Sequence, residues 1–207
     1  MELLAIGADP IAISGTLSVE PKPTGDAVME GIRREIKDAN LSDLRITCSS
    51  EKNFRVRQTG VGITAIGVVV NSKLKVGRCE QGDEVVAVGK PCVGREVIQA
   101  EKDQRIADTL DVLKLRKNRF VHELIPAGSR GIIYEARVMA KDSGLSFDPS
   151  MVQLTNLEKS AGPATVIVAA LREGSFSRVK NAIGRKPFRK VGTLLVGKKR
   201  ATSRFVR

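Results

Sequence analysis

Residues 11–19 constrain the fold most tightly. Ile11, Ile13, Gly15, Leu17 and Val19 alternate with Ala12, Ser14, Thr16 and Ser18. A period of two makes a strand with one apolar face and one small, polar face. Pro21 and Pro23 stop it, and Thr24 stands as N-cap for a helix from Gly25 to about Asp38. In that helix Val28, Ile32 and Ile36 recur every fourth residue on the buried face, with Arg33, Arg34 and Lys37 outside.

The remaining pattern mixes strands and helices. Met1–Ile6 reads as the last turns of a helix capped by Gly7, so the chain is expected to open in mid-fold. Arg45–Cys48 is a short strand entering the polar turn Ser49–Asn53. Val61–Val70 is a long strand, turned back at Asn71-Ser72 into Leu74–Arg78 as a hairpin. Gln81-Gly82-Asp83 turns into a strand over Glu84–Val88. Asp103–Leu115 reads as one helix with Ile106, Leu110 and Leu113 on a stripe. Ser129 caps a helix to about Asp142 with Ile132, Ala136, Met139 and Ala140 on its apolar face. Ala164–Leu171 is a buried strand, Ser175–Ile183 a short helix and Val191–Val196 a final strand.

No strict βαβ rhythm runs through these elements, which predicts an α+β fold. The Pro/Gly-containing stretch Pro91–Gln99 is the expected boundary. It divides a strand-rich first domain, residues 1–92, from a second domain, 93–197, with helices packed on a mixed sheet. A basic tail, 198–207, follows.

Charge excludes less than it first suggests. The chain carries +12, but Arg172–Arg207 holds 12 Lys/Arg against the single acid Glu173, and the rest is nearly neutral. A basic end with one aromatic residue, Phe205, reads as a solvated or anion-attracting tail, and sequence-specific nucleic-acid binding is not expected. Cys48, Cys79 and Cys92 are odd in number and widely spaced, and His122 is the one histidine. That fits reduced thiols and a cytoplasmic location better than disulfides or a zinc site. No apolar run reaches the roughly 20 residues of a membrane-spanning helix. His122 lacks a candidate nucleophile nearby in sequence and reads as structural.

Several local patterns, in order, resemble the superfamily of aminoimidazole ribonucleotide (AIR) synthetase and thiamine monophosphate kinase. Leu4-Ala-Ile-Gly7-Ala8-Asp9-Pro10 resembles its MGAxP junction. Thr24-Gly25 with Gly31-Ile32 resembles the helix start and GI of its first domain. Thr47-Cys48-Ser49-Ser50-Glu51 stands where the family has GGDT or GGET. Gln58-Thr59-Gly60, with Thr64–Gly67 beyond it, resembles the next barrel strand. Glu80–Gly89 resembles xPGDxIxVTG, and Gly128-Ser129-Arg130-Gly131-Ile132 resembles the SDGL helix start. Within the superfamily, Gly15–Gly25 and Lys159–Thr165 resemble the α-ribazole kinases of cobalamin nucleotide-loop assembly.

The resemblance implies an ATP- and Mg²⁺-dependent kinase acting on a small molecule. It also implies a homodimer whose first domain is half of a shared barrel. It implies that Glu51 is the metal- and nucleotide-site acid, with Asn53, Gln58, Thr59 and Gly60 beside it. Ser129, Arg130 and Gly131 would bind an anion at a helix start. Each has a plain alternative: a surface turn at Glu51 and Asn53, a curved strand at Gly60, and an ordinary capped helix with a solvated Arg130. Two departures stand out. Cys48 replaces a turn glycine and Arg130 replaces the Asp of SDGL. The family's first strands, with acids that help hold Mg²⁺–ATP, are expected ahead of residue 1. Their absence predicts weak or absent kinase activity, and leaves a non-catalytic dimeric ligand-binding scaffold as the rival function.

Overall fold

A computed structural model describes residues 1–149 and 157–197. The expected basic tail, 198–207, lies outside the described residues. The chain is α+β and forms two compact units: Met1–Leu74 with Asp108–Leu113, and Lys75–Ala107 with the chain from Lys114 onward.

The first unit holds helix α1 (Glu2–Ala5), strand β1 (Asp9–Ser18), helix α2 (Asp26–Asp38), strand β2 (Arg45–Ser50) and strand β3 (Gly60–Val68). Its sheet has the order β2-β1-β3. β1 and β2 are parallel, joined by α2 as a crossover, and β1 and β3 are antiparallel. Leu17, Val19 and Ile36 are buried, with Val28 and Ile32 half-buried on the expected face of α2. Thr24 does not cap α2. The N-cap position falls at Gly25, without a side-chain bond, and the Thr24 hydroxyl donates to Glu20 Oε1 instead. The sheet leaves Ile11, Ile46, Val61, Ile63, Ile66 and Val68 between 37% and 58% exposed.

The second unit holds β4 (Glu84–Gly89), α3 (Arg95–Lys102), β5 (Val121–Pro126), α5 (Gly131–Asp142), β6 (Leu145–Asp148), β7 (Val166–Leu171), α6 (Phe176–Ile183) and β8 (Phe188–Val196). Helix α4 (Thr109–Lys117) is divided between the units. The sheet order is β5-β7-β4-β8-β6, and every pairing is antiparallel rather than mixed. All six residues of β7 are buried, as a central strand covered on both faces requires. Ile132, Ala136, Met139 and Ala140 of α5 pack on Val85, Ala87, Val166 and Val168. That is the face the sequence pattern indicated.

Four further expectations fail for identifiable reasons. The boundary at residues 92/93 falls inside the second unit, because β4 pairs with β7 and β8 and not with the first sheet. Leu74–Arg78 forms no hairpin with β3. Lys75 Nζ instead donates to Arg116 O, the Arg78 amide to Glu123 Oε2 and the Cys79 amide to Ser143 Oγ. Asp103–Leu115 is not one helix: Asp103 ends α3, Gln104 takes φ +53°, and α4 begins at Thr109. The new start is fixed by a reciprocal cap. The Asp108 amide donates to Asp111 Oδ2 at 3.0 Å, and the Asp111 amide to Asp108 Oδ1 at 2.9 Å. The restart rotates the buried stripe, so Val112 and Leu115 are buried and Leu110 is 43% exposed. Ser129 does not cap α5, whose N-cap position is Arg130.

His122 Nδ1 lies 2.8 Å from Oδ2 of the buried Asp83. Beside it, Glu123 is 2% exposed and accepts from the Arg78 amide, with the Cys79 thiol 3.4 Å away. Burial raises the Glu123 carboxyl above its ordinary 4.5 and also pushes the Cys79 thiol up, where the Glu123 charge adds to the effect. The folded state therefore keeps a proton that the unfolded chain has released. The contribution to stability is full below the ordinary carboxylate value and is lost as pH rises through the folded value. Glu123→Gln keeps an acceptor for both donors and cannot ionise. Thermal unfolding of the two proteins should diverge in favour of the variant as pH rises above about 4.5, then level off. Profiles that stay parallel across that window would rule this out.

Candidate functional site

In the first unit the loop between β2 and β3 carries Glu51, Asn53, Gln58, Thr59 and, at the head of β3, Gly60. β2 runs further than expected, to Ser50, and the Glu51 amide donates to Leu17 O at 3.1 Å. The Glu51 carboxylate turns back on its own loop. Its Oε1 accepts from the amides of Asn53 at 2.6 Å and Phe54 at 3.2 Å. Asn53, Gln58 and Thr59 are exposed. The glycines here serve strand contact: a Cβ on Gly62 would lie 2.6 Å from Thr16 Oγ1, and one on Gly60 3.3 Å from Ser18 Cβ.

Among the described residues no group of three or more His, Cys, Asp or Glu is placed to hold a metal ion. Glu51 is the one carboxylate of the candidate set and would be its single protein ligand. Mg²⁺ accepts that arrangement when substrate phosphates and water supply the remaining oxygens.

In the second unit Ser129, Arg130 and Gly131 form the entry to α5. The loop before β7 packs directly on that entry. The Ala161 amide donates to Gly128 O at 3.1 Å and the Ile133 amide to Leu157 O at 3.1 Å. Gly131 has φ +75°, and a Cβ there would stand 2.7 Å from Leu157 O and 2.8 Å from Lys159 O. Glycine is required because backbone, not a cap, fills the space beside it. The Gly131 amide donates to Gly128 O, so two amides of the helix entrance already have protein acceptors. The Arg130 guanidinium lies 4.6 Å from the Tyr134 ring centre, a cation–π contact on its own helix. Burial raises the nearby Glu135 carboxyl, and the Gly128 amide and Arg130 charge work against that rise.

The structure thus gathers Glu51, Asn53, Gln58, Thr59 and Gly60 in one loop, and Ser129, Arg130 and Gly131 in one turn of the other unit. It also gathers residues that the sequence did not single out. Lys90, Arg105, Lys159 and Arg189, all of the second unit, line one cavity of about 230 Å³. Their spacing along the chain carries no pattern, and Lys159 alone sits in a stretch with a recognisable resemblance.

No family model matches the chain and no curated protein matches it in sequence. Solved structures do share its fold. Against E. coli HypE, a hydrogenase maturation protein, the TM-score is 0.68 at 15% identity, covering 94% of this chain and 70% of that one. A HypE structure in complex with ATP gives 0.61 at 14% identity, covering 92% and 67%. T. maritima PurL complexed with ATP gives 0.64 at 19% identity, covering 95% of this chain. The chain spans about a third of PurL, 35% of its length.

Proposed function

We propose, from the AIR synthetase-like fold that this chain shares with HypE and PurL, that it is an ATP-using phosphotransferase acting on a small molecule. The observation that carries this reading is the likeness, over more than nine-tenths of the chain, to two different proteins solved with ATP. In the first unit the reading assigns Mg²⁺ to Glu51 and nucleotide contacts to Asn53, Gln58, Thr59 and Gly60. In the second it assigns anion binding to Ser129, Arg130 and Gly131. Mg²⁺ would supply charge neutralisation for the transferred phosphoryl group.

Calorimetric titration with ADP, with and without Mg²⁺, tests those assignments. Arg130→Ala should weaken binding in both conditions, by roughly 1–3 kcal/mol for a charge-assisted contact. Glu51→Gln keeps the shape without the charge and should weaken binding only when Mg²⁺ is present. Wild-type binding matched by both variants in both conditions would reject both assignments.

The acceptor proposed is α-ribazole, on the resemblance of Gly15–Gly25 and Lys159–Thr165 to the α-ribazole kinases. With Glu51 as the one carboxylate of the candidate set, turnover should fall well below the ~1–100 s⁻¹ of ordinary kinases. Incubation with ATP should give ADP and phosphorylated α-ribazole slowly. ADP formation that is indifferent to α-ribazole would reject the acceptor. A non-catalytic ligand-binding role is favoured by one observation, the Glu51 carboxylate turned onto its own loop. Nucleotide binding without any phosphorylated product would establish that role instead.

The chain is also proposed to form a homodimer through the first sheet. Six large aliphatic residues of its three strands are exposed, and β2 and β3 are edges, a surface that proteins ordinarily cover. Sedimentation at micromolar concentration should find a dimer. A Val61→Lys, Ile63→Lys variant should be a monomer, and a wild-type monomer would overturn the proposal.

A further inference from the structure

The cavity lined by Lys90, Arg105, Lys159 and Arg189 has no carboxylate in its wall. Those cations come from four separate segments, and backbone hydrogen bonds hold three of them together at the end of β4. The Gly89 amide donates to Pro187 O and the Lys90 amide to Arg105 O, both at 2.8 Å. Gly89 makes this possible with φ +101°. A Cβ there would stand 2.4 Å from Thr165 O and 2.7 Å from Ala107 N. The loop bearing Lys159 is anchored at the same place. The Ala107 amide donates to Thr165 O at 2.9 Å, and Thr165 Oγ1 accepts from the Cys92 amide at 3.1 Å.

The charges are balanced only in part from outside the wall. Lys159 pairs with Glu96, and the Lys90 charge also reaches that carboxylate. Arg105 and Arg189 have no carboxylate partner among the described residues. Beneath these cations the wall is apolar, with Ala87, Ile132, Leu157 and Val191. At about 230 Å³ the cavity is smaller than the roughly 300–1,000 Å³ of pockets that enclose drug-sized ligands. Two guanidiniums present paired donors suited to phosphate oxygens, and the apolar floor suits a ring or short chain.

We propose that this cavity binds a small phosphate monoester, with its phosphate on Arg105 and Arg189 and its apolar body on Ile132, Leu157 and Val191. The inference goes beyond the kinase reading, since none of these residues belongs to the nucleotide and metal assignments above.

Calorimetric titration of the full chain with phenyl phosphate, without nucleotide or Mg²⁺, tests it, and failure there leaves the kinase reading untouched. Wild type should bind saturably. Arg105→Ala and Arg189→Ala should each weaken binding about tenfold, as loss of a charge-assisted contact does. Ile132→Ser should weaken phenyl phosphate while leaving the weaker binding of inorganic phosphate unchanged. Both arginines are exposed, and unchanged thermal unfolding of the two variants will show that the fold is kept. Absence of saturable binding up to about 10 mM, or binding that a variant combining Arg105→Ala and Arg189→Ala retains in full, would overturn the proposal.

Discussion

At the end of β4 the backbone turns through Gly89, and its amide and that of Lys90 reach the carbonyls of Pro187 and Arg105. The second unit depends on this junction. It joins the central strand to the entry of β8 and to the segment between α3 and α4, and the Ala107 amide extends it to Thr165 at the head of β7. A side chain at residue 89 would meet backbone on two sides, so the close approach of four segments rests on one missing Cβ. With the strands held there, β4 and β7 pair over six positions in the covered centre of the sheet. The convergence of four cations follows from the same junction and not from any local sequence rule.

The first unit is governed by a different constraint. Three strands and one long helix bury Leu17, Val19, Ile36, Ala39 and Leu44 on the helix side. The aliphatic side chains of β3 find no such cover within the unit. Fully burying a side chain of this size stabilises by about 1.5–3 kcal/mol, so the gain available from covering these four together with Ile11 and Ile46 is large against a domain's net stability of roughly 5–15 kcal/mol. That imbalance is the ground on which self-association through this sheet is proposed.

Much of the fold was legible in the sequence because it is locally encoded. The alternation over 11–19, the four-residue spacing in α2 and the Ile132–Ala140 stripe of α5 each reflect one element packing on one side. What misled was tertiary. β4 looks like a member of the strand-rich first half, but its partners arrive about 80 and 100 residues later. The Asp108–Asp111 cap was visible as paired acids three apart, and reading it would have divided the false helix. β5 and β6 were missed, being six and four residues long, the first without a strict buried/exposed alternation and the second half-buried throughout. Glu51 and Arg130 were singled out by resemblance, and their geometry shows each engaged within its own loop or helix. Arg105 and Arg189 could not be found from sequence, since 84 residues separate them and only packing brings them to one cavity.

The central functional proposal is that this chain binds a nucleotide, with the β2–β3 loop of the first unit and the α5 entry of the second each assigned, separately, a part in handling phosphate. Hydrogen–deuterium exchange of the intact chain, with and without Mg²⁺ and ADP, reads both segments at once. The account predicts slowed exchange in peptides covering Ser50–Gly60 and Gly128–Ile133, lost when Mg²⁺ is omitted for the first segment and kept for the second. Unchanged exchange in both segments at saturating nucleotide would contradict it.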